Sequence, residues 1–241
     1  MTGISIAIDG PAGTGKSTVS REVARRLGLA YFDTGATYRV ATLWCLREGV
    51  DLADQDDVTA MVETMNVAMV LDARNPRVLL EDEDVSSLIR SDDVALSVSK
   101  VATNLEARAA LGRWQRELIA TELEGGFSEG RGIVSEGRDI TTVIAPEADV
   151  RVLMTADEEV RVARRAGEGA DAATVREAVL GRDRKDATVV EFHTAADGVV
   201  TLDTTDLTIE EAVQGVLDLV AQARGEEPGT AATAPAADED A

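Results

Sequence analysis

Gly10, Pro11, Ala12, Gly13, Thr14, Gly15, Lys16 and Ser17 form an unbroken Gly-x-x-x-x-Gly-Lys-Ser run, followed by Thr18. Each position has a chemical use. The three glycines let the backbone curl until its N–H groups converge on a single point, which makes a hole for phosphate oxygens. Lys16 brings a point charge to the β- and γ-phosphates of a nucleoside triphosphate, and the Ser17 hydroxyl suits Mg²⁺. Such a loop works only between a strand and the start of a helix. Ile4–Asp9 (ISIAID) is an apolar, β-branched run that predicts a buried strand, and residues 18–27 (TVSREVARRL) predict a helix. The motif therefore predicts triphosphate binding and leaves open what is done with the nucleotide.

Further along the chain, short β-rich runs alternate with helical ones. Strands are expected at Ala30–Asp33 (AYFD), 133–135, 150–154 and 199–203, with a helix over 38–48. This alternation predicts an α/β fold with a parallel, doubly wound sheet. Ligands of such sheets sit at the carboxyl ends of the strands, where Asp33, Glu136 and Asp203 fall. Residues 65–91 differ. MNVAMVLD and PRVLLED predict two strands around a turn at 73–76, with VSSLIRSDD as a short helix, so this stretch is expected to be an antiparallel insertion. Residues 158–184 are rich in Arg, Glu and Ala and contain Gly167 and Gly169. They predict two helices joined by a flexible turn, which suits either a mobile lid or an ordinary charged hairpin. Thr208 and Glu211 form a capping box that opens a last helix over 208–223. There are no internal repeats.

The 241 residues carry a formal charge of −21, which argues against nucleic acid or an anionic membrane as partner. Only 3% of residues are aromatic, too few for base-stacking platforms along a single strand. Lys16, Lys100 and Lys185 are the only lysines, so positive charge is almost all arginine, the residue suited to bidentate phosphate and carboxylate contacts. Cys45 is the single cysteine. It allows no intrachain disulfide and sits in an apolar helical stretch, so it is expected in the core. No leader-like segment opens the chain and no run is long enough to span a bilayer, so a cytoplasmic protein is expected. The acidic surface and the absence of heptads favour a monomer. The acidic, large-apolar-free tail from residue 224 or 225 to 241 is expected to be disordered.

Three further motifs follow the phosphate loop in order: DTGATYR (33–39), SEGRDI (135–140) and RDRKD (182–186). With EDVSSLIR (83–90), SKVATNLEAR (99–108) and DTTDLTIEEAV (203–213), they make the chain from about residue 4 to 223 resemble the bacterial cytidylate kinases, which phosphorylate CMP and dCMP with ATP. The resemblance implies a P-loop nucleoside monophosphate kinase fold. Its core would span 1–62 and 101–223, with a short helical lid at about 158–187, a monophosphate-binding insertion at 63–100 and a tail at 224–241. It also implies roles. Residues 10 to 18 would hold the ATP phosphates. Thr34, Arg39 and Arg138 would hold the CMP phosphate beside Asp33. Ser99, Arg108 and Asp139 would read cytosine, and Arg182 and Asp186 would reach phosphate and ribose. Arg161, Arg164 and Arg165 would close over the transferring group, and Ser17 with Glu136 would serve Mg²⁺.

These roles make chemical sense. Cytosine offers an amino donor that a carboxylate such as Asp139 can accept, and acceptors that arginine or serine can serve. Uracil presents a carbonyl in place of the amine, which a carboxylate repels. An ion pair with neighbouring Arg138 is the competing role for Asp139. Transfer between two anions requires offset charge rather than a general base, because the acceptor phosphate is already ionised at neutral pH. His193 is therefore expected to be structural or exposed, and Glu136 has strand-end capping as its alternative.

The sequence departs from the family pattern at Thr141, where glycine is usual, at Ala187 and Val189, where serine and arginine are common, at Thr37, where methionine is common, and in a short lid segment. A side chain at 141 is expected to narrow the site or alter the backbone. Two other functions stay open: a related kinase acting on UMP, AMP or a non-nucleotide acceptor, and a nucleotide-binding module without catalysis.

Overall fold

The computed structural model describes residues 3–166 and 172–227, with the side chains of 172–175, 178, 179 and 182 excepted. In chain order its elements are β1 (Ile4–Asp9), α1 (Lys16–Leu27), β2 (Ala30–Asp33), α2 (Thr34–Arg47), α3 (Gln55–Thr64), β3 (Val67–Val70), β4 (Arg77–Leu80), β5 (Glu83–Asp84), α4 (Asp92–Ala102), α5 (Leu105–Glu124), β6 (Gly132–Gly137), β7 (Val150–Thr155), α6 (Glu158–Ala166), α7 (Ala172–Asp186), β8 (Val200–Asp203) and α8 (Ile209–Arg224). A 3-10 turn covers Leu88–Arg90 and a π-helical turn covers Ile140–Ile144.

The core is a five-stranded sheet in the order β2-β6-β1-β7-β8, parallel throughout. β1 lies at its centre, and all six of its residues are buried. The two-residue period of a strand sends Ile4, Ile6 and Ile8 to one face, where they meet Val19 and Val23 of α1 and Val213 and Val216 of α8. Ala7 faces the other way, with Phe32, Ile119, Ile133 and Ile140. Burial on both faces explains why β1 reads as a continuous apolar run. The register sets Asp9 beside Gly137 and Asp33 beside Glu136, so the polar strand ends converge on one edge.

Helix α2 begins at Thr34 rather than at 38. The Asp33 carboxylate accepts the Ala36 N–H at 3.1 Å and caps the helix, which draws most of DTGATYR into its first turns. The insertion is an antiparallel sheet of three strands, β3-β4-β5. The third strand carries no sequence signal, because Glu83 and Asp84 are exposed and polar. Its hairpin turns on Glu81 and Asp82, at φ 49° and 67°. The VSSLIRSDD stretch is not one helix: extended Ser91 (ψ 158°) separates the 3-10 turn from α4.

Two helices, α6 and α7, cover the segment expected to form a helical pair, and Gly167 and Gly169 between them lie outside the described residues. So does the tail beyond residue 227. Cys45 is fully buried, and Thr208 and Glu211 make the capping box ahead of α8. No helix among the described residues is long and apolar enough to cross a membrane.

Candidate active site

The loop between β1 and α1 is tightly walled. A Cβ on Gly10 would stand 2.1 Å from the Met154 carbonyl oxygen, and one on Gly13 would stand 2.9 Å from the Arg161 Cβ, so both glycines are required by neighbouring chain. Gly13 and Gly15 adopt φ of 85° and 93°. Lys16 donates to the Pro11 carbonyl at 2.9 Å. Burial pulls its pKa down to about 8, against the pull of Glu136. Ser17 and Thr18 are exposed at the helix start. The loop lines a cleft of about 610 Å³ together with Arg90, Arg164, Arg165, Thr204 and Ile209.

Beyond the neighbouring strand ends lies a small slot, about 50 Å³, in which Thr34, Tyr38, Arg108, Arg138, Asp139 and Asp186 meet the apolar side chains of Val98, Ala102 and Val190. Arg108 and Asp139 form a hydrogen-bonded ion pair. Arg108 also donates to the Ala102 carbonyl at 2.9 Å and lies over the Tyr38 ring at 5.4 Å. Burial raises the Asp139 pKa, and Arg108 only partly offsets it. Asp139 thus pairs with Arg108 and not with adjacent Arg138. Thr34 donates to the Glu136 carbonyl at 2.8 Å, and Arg39 pairs with Asp33 at 2.5 Å. Ser99 is half-buried on α4, next to the slot residue Val98, and does not itself line the slot.

Arg138 makes ion pairs with Asp183 and Asp186, each at 2.7 Å, and its guanidinium stacks 4.5 Å from the centre of the Phe192 ring. Arg161 is buried, donating to the Ala12 carbonyl at 3.0 Å and to Asp183 at 2.5 Å. Arg164 donates to the Thr204 hydroxyl at 3.1 Å and carbonyl at 2.6 Å. Arg165 lines the cleft beside the glycine-rich loop, and the Arg182 side chain lies outside the described residues. Glu136 is buried, accepts the Tyr31 hydroxyl at 2.8 Å and also takes a bond from Ser17. Burial and the nearby Asp33 charge raise its pKa.

Four residues to which the sequence gave no individual role complete the site. Asp183 accepts the Ala12 N–H at 3.1 Å as well as binding the two arginines. Burial would raise its pKa, but Arg138 and the bonds from Arg161 and Ala12 outweigh it, and the net shift is downward. Asp183 lies within the RDRKD motif, whose expected roles fall on Arg182 and Asp186; the three-residue spacing of Asp183 and Asp186 on one helical face is the further signal. Thr204 donates to the Thr14 and Thr155 carbonyls, at 3.0 and 2.9 Å, and so ties the loop to the end of β8. Phe192, fully buried, carries the exposed ring of His193 on one side and Arg138 within stacking distance. Asp9 binds the turn after β6.

Of the two outcomes expected for Thr141, narrowing of the site is not what its side chain does. Its side chain does not line the slot. Its hydroxyl donates to Asp9 at 2.7 Å, so the change adds a bond beneath the site instead of narrowing it. Thr37, a further departure, lies within α2, where it donates to the Thr34 carbonyl and accepts from Gln115 at 2.8 Å.

Residues 6–222 match the family model described as Cytidylate kinase. A cytidylate kinase of Streptomyces avermitilis is 41% identical over 224 residues, covering 92% of this chain and 94% of that protein. One from Cutibacterium acnes is 42% identical, covering 89% of this chain and 95% of that protein. One from Mycobacterium leprae is 42% identical, with coverage of 93% and 99%.

Proposed function

The chain belongs to the cytidylate kinase family, and on that premise we propose that it transfers the γ-phosphoryl group of ATP to CMP or dCMP, giving ADP and CDP or dCDP. The observation that carries this is the Arg108–Asp139 pair, set in one slot with Arg138 and Thr34. Slot and donor loop begin at the ends of neighbouring strands, about 5 Å apart.

Asp139 accepts from the cytosine amine, while Arg108 and Ser99 donate to the ring acceptors. Thr34, Arg39 and Arg138 hold the acceptor phosphate, with Arg182 and Asp186 reaching phosphate and ribose. An acceptor oxygen attacks the γ-phosphorus, the bond to the bridging oxygen breaks, and its electron pair leaves with ADP. Lys16, Arg161, Arg164 and Arg165 spread the negative charge of that passage. Ser17 and Glu136 face each other as hard oxygen donors, the chemistry Mg²⁺ prefers, and would hold the ion whose charge offsets that of the triphosphate. The slot is far smaller than the roughly 300 Å³ or more of ordinary ligand pockets, so CMP must widen it by displacing the carboxylates from the arginines. On this proposal the protein is a monomer acting on small nucleotides in the cytoplasm.

A coupled assay for ADP release with CMP, dCMP, UMP and AMP as acceptors tests the proposal. CMP-dependent ADP formation is expected, with UMP poor. No CMP-dependent turnover, or a preference for UMP or AMP, would overturn it.

A further inference from the structure

Asp9 ends β1 directly before the donor loop, and no step above uses it. Its carboxylate is 1% exposed. Oδ1 accepts the Ile140 N–H at 3.0 Å, and Oδ2 accepts both the N–H and the hydroxyl of Thr141 at 2.7 Å. Burial raises its pKa to about 6 even so, which shows how much the position costs.

What these bonds do follows from where they land. Ile140–Ile144 is a single π-helical turn, and the residue at its N-cap position is Asp139. Aspartate at such a position ordinarily folds its side chain back onto the first free N–H groups of the turn. Here Asp139 makes no such bond, and its φ and ψ are −141° and 18°. One of the donors it would take, the Thr141 N–H, is already satisfied from β1 by Asp9, which also takes the Ile140 N–H ahead of it. The Asp139 carboxylate is left to meet Arg108 in the slot.

We propose that Asp9 is a positioning residue for base selection: it caps the 140–144 turn in place of Asp139 and so keeps the Asp139 carboxylate turned toward the acceptor base. The donor loop and the base-reading turn are then braced by one side chain. This rests on Asp139 reading cytosine, so the test carries that assignment as a separate arm.

The readout is the ratio of kcat/KM for CMP to that for UMP. Both values come from one preparation, so the ratio does not depend on the fraction of folded enzyme. In Asp9→Asn an amide nitrogen confronts one of the N–H donors. The ratio is expected to fall roughly tenfold, the size of one lost hydrogen bond to a charged group, while KM for ATP stays within about twofold. Thr141→Val removes one of the three bonds with little change of volume and should lower the ratio about threefold. Asp139→Ala is the control for base reading. If it lowers the ratio but folded Asp9→Asn stays within about twofold of the parent, the proposal is wrong and the cytosine assignment stands. If Asp139→Ala leaves the ratio unchanged, the assignment falls and the Asp9 role falls with it. Should Asp9→Asn not fold, Thr141→Val decides: a threefold drop supports the role and an unchanged ratio rejects it.

Discussion

Replacing Asp183 with asparagine should be the most damaging isosteric change outside the phosphate loop. Asp183 is 3% exposed and answers two guanidinium groups and a backbone N–H from the donor loop. The Arg161 and Arg138 side chains are themselves only 8% and 15% exposed. Removing one partner of a buried ion pair costs about 3–5 kcal/mol, because the charge left behind cannot recover its hydration. Asparagine keeps the shape, can still accept from Ala12, and leaves Asp186 on Arg138, so about 3 kcal/mol is the expected loss. For a chain of this length that lowers Tm by roughly 6–12 °C. The asparagine also removes a competitor for Arg138, so saturating CMP should stabilise the variant more than the parent. The sign with pH is fixed by the depressed pKa of Asp183. Its contribution is present above the ordinary carboxylate range and is lost as pH falls through the folded value. The Tm gap between parent and variant should hold from pH 8 to 5 and contract only below about pH 4. Thermal unfolding of both proteins across that range measures it. A gap under about 2 °C at neutral pH, or one that widens on acidification, would refute the pairing account.

Arg161→Ala and Arg164→Ala should both cut turnover strongly. Arg161→Ala should also lower Tm by several degrees because it removes one of the two guanidinium partners of buried Asp183, whereas exposed Arg164 should not; melting curves beside steady-state rates separate the two. Lys16→Met should abolish turnover yet raise the Tm of the unliganded protein at pH 7. The lysine is held below its ordinary pKa, so its charged form is disfavoured by folding and the penalty fades only as pH rises toward 10. Phe192→Leu keeps an apolar core residue but removes the face under Arg138. A rise of about threefold to tenfold in KM for CMP with a smaller change in kcat is expected from steady-state kinetics. Removing residues 228–241 should leave the kinase rate unchanged, which a rate comparison at equal protein concentration checks.

Local patterns in the chain announced the donor end well. Ile4–Asp9, the glycines and Lys16 are contiguous, and their chemistry is written in nearest-neighbour spacing. The parallel sheet was equally plain, because strands buried on both faces need unbroken apolar runs. The insertion was readable as antiparallel strands, but β5 was not, because two exposed acids carry no periodic signal. α2 starts four residues before the expected 38 because Asp33, at the end of β2, also caps the helix. The residues that hold the site together were the hardest to see. Asp9 acts on Ile140 and Thr141, and Asp183 acts on Ala12 and Arg138. Each bond joins positions far apart in sequence, so no window of the chain contains both partners. Phe192 was obscured for a different reason: it sits in a stretch without regular structure, where one aromatic ring looks incidental.

Three of the arginines proposed for the acceptor side already have a carboxylate against them: Arg39 has Asp33, Arg108 has Asp139, and Arg138 has Asp183 and Asp186. On the proposed assignment, an arriving phosphate meets no bare cation among these three and has to swap places with an acid that is covalently part of the protein. Such exchange releases few mobile ions, so affinity for the monophosphate should vary little with ionic strength. It also sets a threshold, since a dianion can outbid a tethered carboxylate where chloride or a neutral nucleoside cannot. An acidic chain thereby keeps its phosphate grips oriented without drawing in every passing anion.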